Sequence, residues 1–277
     1  MTHQISRRGL MASTAGAAAA AAILPSLATS AKAAAHAPSI AGNRPSHYGF
    51  KLGGFECSTI LDGAIQLDGP HPIFGQDQEA TAVHALMAEN YLPETKLEIG
   101  FTPLLVKAGD DLVLFDTGNG AGRRPNAGNL LERLKAGGVD PAAISVVVIT
   151  HFHPDHIGGL MEDGKPAYPN ARYVTGEAEF NFWTPEDKMS GPTERVAKLV
   201  ASNVKPLADK FTFIKDGGEV VSGITGIAAF GHTPGHMAFN IESDGQRVLL
   251  WADAANHFVA SVQRPDWHVR FDMDKDG

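Results

Sequence analysis

Cysteine is nearly absent from this sequence, which has one, Cys57, among 277 residues. A single cysteine excludes an intramolecular disulfide, so the folded chain must draw its stability from an apolar core or from bound metal. Cys57 lies in the alternating stretch FECSTIL, which is typical of a strand. We therefore expect Cys57 to be a buried, inert thiol and not a metal ligand or a nucleophile.

Positive charge is also scarce. The chain has 23 lysines and arginines against 31 aspartates and glutamates, which gives a formal net charge of −8 at pH 7. An acidic chain without blocks of basic residues argues against nucleic acid or an anionic membrane as a partner. A small-molecule substrate is the expected partner, and the sequence leaves a homodimer open.

The first 33 residues differ from the rest of the chain. Arg7 and Arg8 are followed by a long alanine-rich run without charge, and Ala31 and Ala33 place small residues where a signal peptidase cleaves. This pattern predicts a signal peptide of the twin-arginine type over residues 1–33.

The predicted domain organisation follows from that segment. Its removal takes away three positive charges and no negative one, which lowers the formal charge from −8 to −11. It leaves a flexible leader over residues 34–50 and one folded domain over 51–277, in a protein that is periplasmic or secreted and not held by a membrane. Two alternatives stay open for the first segment: a weakly apolar membrane anchor over 9–31, or a disordered tail.

Strand and helix patterns occur in two successive groups along the domain. FECSTILDGAIQL predicts a strand pair that turns at Asp62-Gly63, and FTPLLVKAGDDLVLFDTG predicts a hairpin that turns at Gly109-Asp110. ISVVVIT is a continuous apolar run, typical of a strand buried on both faces. Helical patterns follow each group, so the expected class is α/β (α+β), with two sheets packed face to face and helices outside.

Metal-ligand side chains are concentrated directly after ISVVVIT, in the stretch THFHPDHIGGL. His151 and His153 are two residues apart and point the same way in an extended segment, whereas the adjacent Asp155 and His156 diverge. Such an arrangement can serve two neighbouring metal ions. Imidazole and carboxylate ligands suit zinc, which we expect, and also manganese, iron or cobalt.

Two later segments supply further candidate ligands. AAFGHTPGHMAF follows a strand pattern and places His232 in a turn, and RVLLWADAANH ends a strand pattern at Asp253. A carboxylate in that position can bridge two cations through its two oxygens. An exposed His232 and an Asp253 that caps a helix are the alternatives.

Taken together, THFHPDH, GHTPGH, the later Asp253 and the upstream LVLFDTG resemble the metallo-β-lactamase superfamily in order and spacing. Within it, the stretch AEFNFW after ARYV is similar to the exported group that includes methyl parathion hydrolase. The resemblance covers residues 52–277 and implies an αββα sandwich.

The resemblance also implies roles for individual residues. It assigns a first metal to His151, His153 and His232, a second metal to Asp155 and His156, and the bridging position to Asp253. A hydroxide between the metals would attack the substrate, which makes Asp155 and Asp253 the catalytic carboxylates. Asp116 is expected to orient a ligand histidine or the loop, and His236 to be structural.

One ligand that the resemblance implies has no clear counterpart in this sequence. The family's second metal needs another histidine well after the bridging aspartate, and only His257 and His268 follow Asp253. Neither lies in the strand-loop setting that the family uses. We therefore expect the sequence to be truncated at its C-terminus, with this ligand beyond residue 277.

The substrate pocket is less defined by sequence. Phe182 and Trp183 are expected to form an apolar pocket wall, with a role in the core as the alternative. Arg123 and Arg124 lie where methyl parathion hydrolase has an apolar loop, which argues against phosphotriesters as substrates. The two arginines can instead hold a substrate carboxylate or phosphate, or be solvated.

These observations favour a dinuclear zinc-type hydrolase that acts on a lactone, ester or phosphoester. A mononuclear iron oxygenase that handles a persulfide is an alternative, since it needs only His151, His153 and one more ligand. A non-catalytic metal-binding protein on the same scaffold is another, because a fold alone does not choose a chemistry.

Overall fold

The computed structural model describes residues 45–275. The predicted signal peptide and most of the predicted leader lie outside these residues. The end of that leader differs from expectation, because His47–Phe50 already belong to the first strand, where they pair with the second. Within the described residues, no helix is long and apolar enough to cross a membrane.

The larger sheet has seven strands. In spatial order they are β1 (His47–Leu52), β2 (Phe55–Ile60), β5 (Leu104–Ala108), β6 (Asp111–Phe115), β7 (Val146–Ile149), β10 (Arg172–Gly176) and β11 (Phe211–Ile214). The first four strands in this order are antiparallel neighbours, and β6, β7, β10 and β11 run parallel.

The smaller sheet is a four-stranded antiparallel meander. It consists of β12 (Glu219–Val221), β13 (Ile224–Ala228), β14 (Met237–Ser243) and β15 (Gln246–Leu250). Two antiparallel strand pairs stand apart from both sheets, namely β3 (Gly63–Asp68) with β4 (Lys96–Phe101), and β8 (Met161–Glu162) with β9 (Lys165–Pro166).

The described residues contain six α-helices, five between strands and one after the last strand. They are α1 (Ala80–Glu89), α2 (Leu130–Ala136), α3 (Pro154–Ile157), α4 (Glu177–Trp183), α5 (Glu194–Asn203) and α6 (Ala260–Gln263). Short 3₁₀ turns lie between them.

The core is divided by the larger sheet. One face packs Val148 and Phe115 against Phe239 and Ile241 of the smaller sheet. The opposite face packs against the helices, including α2, α4 and α5. The continuous apolar sequence of β7 follows from this position, because all four of its residues are buried between the two layers. The predicted two-sheet sandwich with helices outside is confirmed.

The predicted pairing of FECSTI with GAIQLD is wrong, although both stretches are strands. β2 pairs with β1 and β5, whereas β3 pairs with β4. The cause lies at Asp62, whose buried carboxylate accepts hydrogen bonds from the backbone N–H groups of Asn119, Gly128 and Leu130. These bonds direct the chain away from β2 where a tight hairpin turn was expected.

Candidate metal centre

The histidine-rich segment begins where β7 ends, at the carboxyl edge of the parallel strands. His151 and His153 lie in the loop after Thr150, and Pro154 starts the short helix α3, which carries Asp155 and His156. Proline is favoured at this first helical position because it lacks the N–H that would be unpaired there. The loop is thus extended at the first two histidines and helical at the third.

Close packing of glycines against a neighbouring strand end fixes this loop. A Cβ atom at Gly158 would collide with backbone atoms of Asn119, and one at Gly159 would collide with the carbonyl oxygen of Thr117. The side-chain amide of Asn203 in α5 donates to the carbonyl oxygens of Ile157 and Gly158. The segment is therefore held on one side by the strand end after β6 and on the other by α5.

Three imidazoles converge although their residues are far apart in sequence. The ligand atoms of His151, His153 and His232 lie within 4.8 Å of one another. Nδ1 of His153 is 2.8 Å from Nε2 of His232. His232 comes from the turn between β13 and β14 of the smaller sheet, so this group joins the two sheets.

A second group of ligand atoms adjoins the first and contains His151, His156 and Asp253. The Asp253 carboxylate, which follows β15, lies between the groups: Oδ2 is 3.3 Å from Nε2 of His232, and Oδ1 is 3.3 Å from Nε2 of His156. Oδ2 of Asp155 is 3.8 Å from the same nitrogen of His156. All six predicted ligands are thus at one site.

The donor chemistry fits bound cations. Nε2 of His151 is buried and has no hydrogen-bond partner among the described residues, an arrangement that costs free energy unless something binds there. Burial lowers the pKa of His151 well below its usual value, and burial together with neighbouring imidazoles lowers that of His153 to about 3. Both rings are therefore neutral at neutral pH and hold a lone pair for a metal ion.

Charge interactions between carboxylates and imidazoles shift the pKa values of the other candidate ligands. Burial alone would lower the pKa of His156, but the nearby charges of Asp116, Asp253 and Asp155 outweigh it and raise that pKa. Burial would raise the pKa of Asp253, but His156 and other imidazoles hold it below its usual range. Asp253 is therefore ionised, as a bridging ligand must be.

Two carboxylates outside the ligand set orient the imidazoles. Asp116 accepts hydrogen bonds from the Thr150 N–H and hydroxyl and lies 2.9 Å from Nδ1 of His156. Asp272 lies 2.8 Å from Nδ1 of His232. Each carboxylate accepts here, so each ring carries a proton on Nδ1 and directs Nε2 toward Asp253 and the candidate site. The first contact is the role predicted for Asp116; the second was missed.

Glu179 in α4 is a further residue that the sequence did not reveal. Its fully buried carboxylate accepts hydrogen bonds from the Phe152 N–H (2.7 Å), Trp183 Nε1 (2.8 Å), the Thr233 hydroxyl (2.7 Å) and the Gly235 N–H (3.0 Å). It therefore ties the loop of His151 and His153 to the loop of His232. Phe152, Thr233 and Gly235 are distant in sequence from Glu179, and no local pattern in AEFNFW marks them.

The remaining histidines near the site are engaged in other contacts. His236 accepts the N–H of Asp253 through Nε2 at 3.1 Å, so it supports the aspartate and is not a member of either ligand group. Nδ1 of His257 accepts the N–H groups of Val259 and Ala260 at the start of α6.

A cavity of about 640 Å³ opens onto the candidate ligands. Apolar side chains of the β3–β4 strand pair, including Ile99 and Phe101, form one wall, and residues from Leu249 to Trp251 form another. Arg123 lines the cavity as predicted, and Arg195 of α5 also lines it.

The prediction that Phe182 and Trp183 form a pocket wall is wrong. Neither is among the residues that line the cavity. The helical turn of α4 directs Trp183 into the core, where it is 2% exposed and donates to Glu179. Phe182 packs edge-on against Trp183 and lies under the ammonium group of Lys188.

The sandwich and the convergent imidazoles and carboxylates define a protein with a candidate metal centre at the edge of its sheets. The family description "Metallo-beta-lactamase superfamily" matches residues 102–275. The chain belongs to this superfamily.

Among curated proteins, the chain is similar to the Probable metallo-hydrolase YflN of Bacillus subtilis (strain 168), with 29% identity over 48% of this chain and 53% of that protein. It is also similar to the N-acyl homoserine lactonase AttM of Agrobacterium fabrum (strain C58 / ATCC 33970), with 29% identity over 45% of this chain and 46% of that protein. The chain spans about half the length of the curated relatives it matches.

Solved structures show the same architecture over more of the chain. AidC, a dizinc quorum-quenching lactonase solved with a product, aligns with a TM-score of 0.75 at 26% identity, over 83% of this chain and 82% of that one. The hydrolase AbOPH of the beta lactamase superfamily aligns with the same TM-score at 24% identity, over 84% and 82%. The second likeness concerns the fold alone.

Proposed function

We propose that this protein is a dinuclear, zinc-type metallo-hydrolase that cleaves a lactone or an ester, with phosphoesters as a further class. One observation carries the proposal: the Asp253 carboxylate directs one oxygen toward His232 and the other toward His156. A carboxylate between two sets of imidazoles is the arrangement that binds a pair of cations and not a single one.

The chain offers a ligand set for each ion. His151, His153 and His232 would hold the first, and His156 with Asp155 would hold the second, with Asp253 shared. Bound divalent ions would supply a water molecule of lowered pKa as the nucleophile and would stabilise negative charge that develops on the substrate oxygen.

The protein's own side chains orient these ligands and exclude water. Asp116 and Asp272 keep the protons of His156 and His232 on Nδ1, so that both Nε2 atoms stay available. The apolar wall at Ile99 and Phe101 favours a substrate with a hydrocarbon portion. Similarity to proteins named as N-acyl homoserine lactonases supports lactones as the first substrates to examine.

Metal content and turnover test the proposal together. The purified chain should contain two zinc ions, measured by mass spectrometry of the metal, and should hydrolyse members of a panel of N-acyl homoserine lactones and aryl esters. His151→Ala should lose metal and turnover, whereas His84→Ala, in the distant helix α1, should retain both.

Two other results would contradict the proposal. One iron per chain with persulfide oxidation would favour the mononuclear oxygenase. Full metal loading without turnover on lactones, esters and phosphoesters would favour a non-catalytic metal-binding protein.

A further inference from the structure

Two guanidinium groups face the cavity that contains the candidate metal ligands. Arg123 lies at the end of the 3₁₀ turn Ala121–Arg123, and Arg195 lies in the first turn of α5. Both line the cavity together with His153, Asp155 and other residues of the metal centre. The cavity thus combines a metal site, an apolar wall and positive charge.

Arg123 has no anionic partner among the described residues, in contrast to the adjacent Arg124. Both terminal nitrogens of Arg124 bind the Glu162 carboxylate, at 2.8 and 3.1 Å, and its Nε donates to the carbonyl of Gly128. The described residues offer no carboxylate within 4.0 Å of Arg123, whose guanidinium instead lies over the Phe101 ring at 5.9 Å. One arginine of the pair is structural, and the other is available to a ligand.

Arg195 is similarly unpaired within the described part of the chain. The neighbouring carboxylate, Glu194, is bound to Lys198 one helical turn later and does not neutralise it. The amide of Asn203 in the same helix holds the segment of α3, so α5 keeps Arg195 at a fixed position relative to the metal ligands.

The cavity places Arg123 beside the candidate metal centre. Arg123 and Asp155 line the same cavity. A single small molecule that fills this cavity would therefore contact both.

We propose that the substrate carries an anionic oxygen group, a carboxylate or a phosphate, that Arg123 and Arg195 bind while its ester or lactone lies at the metal centre. The inference rests on the proposed function and deepens it. Guanidinium groups bind both kinds of anion through paired N–H donors. The apolar wall beside Phe101 would contact the hydrocarbon between the anion and the scissile bond.

A matched pair of esters tests substrate preference. Para-nitrophenyl valerate is neutral, and mono-para-nitrophenyl glutarate has the same number of acyl carbons and ends in a carboxylate. The zinc-loaded protein should show a kcat/KM for the glutarate ester at least about tenfold above that for the valerate ester, as one charge-assisted hydrogen bond predicts.

Variants assign that preference to the two arginines. Arg123→Gln and Arg195→Gln should each reduce the glutarate-to-valerate ratio of kcat/KM about tenfold. Arg247→Gln is the matched control, because it removes the same charge from an exposed residue of β15 that is paired with Glu242. An unchanged ratio in both cavity variants, or an equal decrease in the control, would overturn the inference.

Binding without turnover separates this inference from the proposed function. Calorimetry with glutaranilic acid, its phosphonate analogue and neutral valeranilide should show tighter binding of an anionic amide to the wild-type protein and loss of that difference in Arg123→Gln. The tighter of the two anions identifies carboxylate or phosphate as the group bound. Anion-dependent binding without ester or lactone hydrolysis would refute the proposed hydrolase and leave the anion site standing. Hydrolysis with equal binding of the anionic and neutral amides would refute the anion site and leave the hydrolase standing.

Discussion

Replacement of Glu179 by glutamine should weaken the fold and the metal centre together. In the native protein, one carboxylate oxygen accepts from Phe152 and Trp183, and the other accepts from Thr233 and Gly235. Glutamine keeps one acceptor oxygen and replaces the other with an NH₂ group. In its less costly orientation the NH₂ faces the Thr233 hydroxyl, which can rotate to accept, and the Gly235 N–H, which cannot.

The magnitude follows from these four contacts. A hydrogen bond to a charged group contributes roughly 1.5–3 kcal/mol, and a buried donor without a partner costs roughly 1–3 kcal/mol. Since the Gly235 N–H loses its acceptor inside the protein, we expect Glu179→Gln to lower the free energy of unfolding by about 3 kcal/mol. The affinity for zinc should fall about 10- to 100-fold, as is typical when a residue that supports metal ligands is replaced.

Urea unfolding and competition with a chelator measure the two effects. Glu177→Gln is the matched control in the same helix, because Glu177 is half-exposed and paired with Lys215 at the surface. Such a pair contributes about 0–1 kcal/mol. If Glu179→Gln is as stable as Glu177→Gln, or if its zinc affinity equals that of the wild type, the role assigned to Glu179 is wrong.

Four further predictions follow from the site and the sequence. Asp272→Asn should reduce zinc affinity about tenfold, since an amide no longer fixes the proton of His232 on Nδ1, and an unchanged affinity would argue against that contact. Removal of zinc should lower the free energy of unfolding by about 4 kcal/mol when the metal had been present at a thousand times its Kd, which calorimetry of the apo and loaded protein measures. Burial raises the pKa of the Cys57 thiol, so a thiol reagent at pH 8 should label it only as fast as the chain unfolds; immediate labelling would contradict its burial. Arg7→Lys combined with Arg8→Lys should leave the protein in the cytoplasm if the predicted twin-arginine signal operates, and cell fractionation would reveal unchanged export.

The sequence was most informative where signals are local. The apolar run of β7 predicted a strand buried on both faces, and its four residues are buried. The crowding of His151, His153 and His156 within six residues marked the site without knowledge of the fold. Asp116 was recognised through the resemblance of LVLFDTG to the pattern of the superfamily.

Non-local partners were beyond such reasoning. Three of the four partners of Glu179 lie 27 to 56 positions away, and only the folded chain brings them together. The inward direction of Trp183 depends on the face that α4 turns toward the core, which a seven-residue helix does not reveal by periodicity. The same limit explains the wrong partner for β2, because strand pairing depends on where Asp62 is bound.

The candidate ligands come from both sheets, with consequences beyond chemistry. The Thr150–His156 segment follows a strand of the larger sheet, whereas His232 and Asp253 follow strands of the smaller one. The separation of the two sheets therefore sets the distances among the candidate ligands, and the space between the sheets is filled by contacts such as the edge-on rings of Phe115 and Phe239. A change in the interior of the sandwich, remote from any substrate, would thus be expressed first as altered metal selectivity.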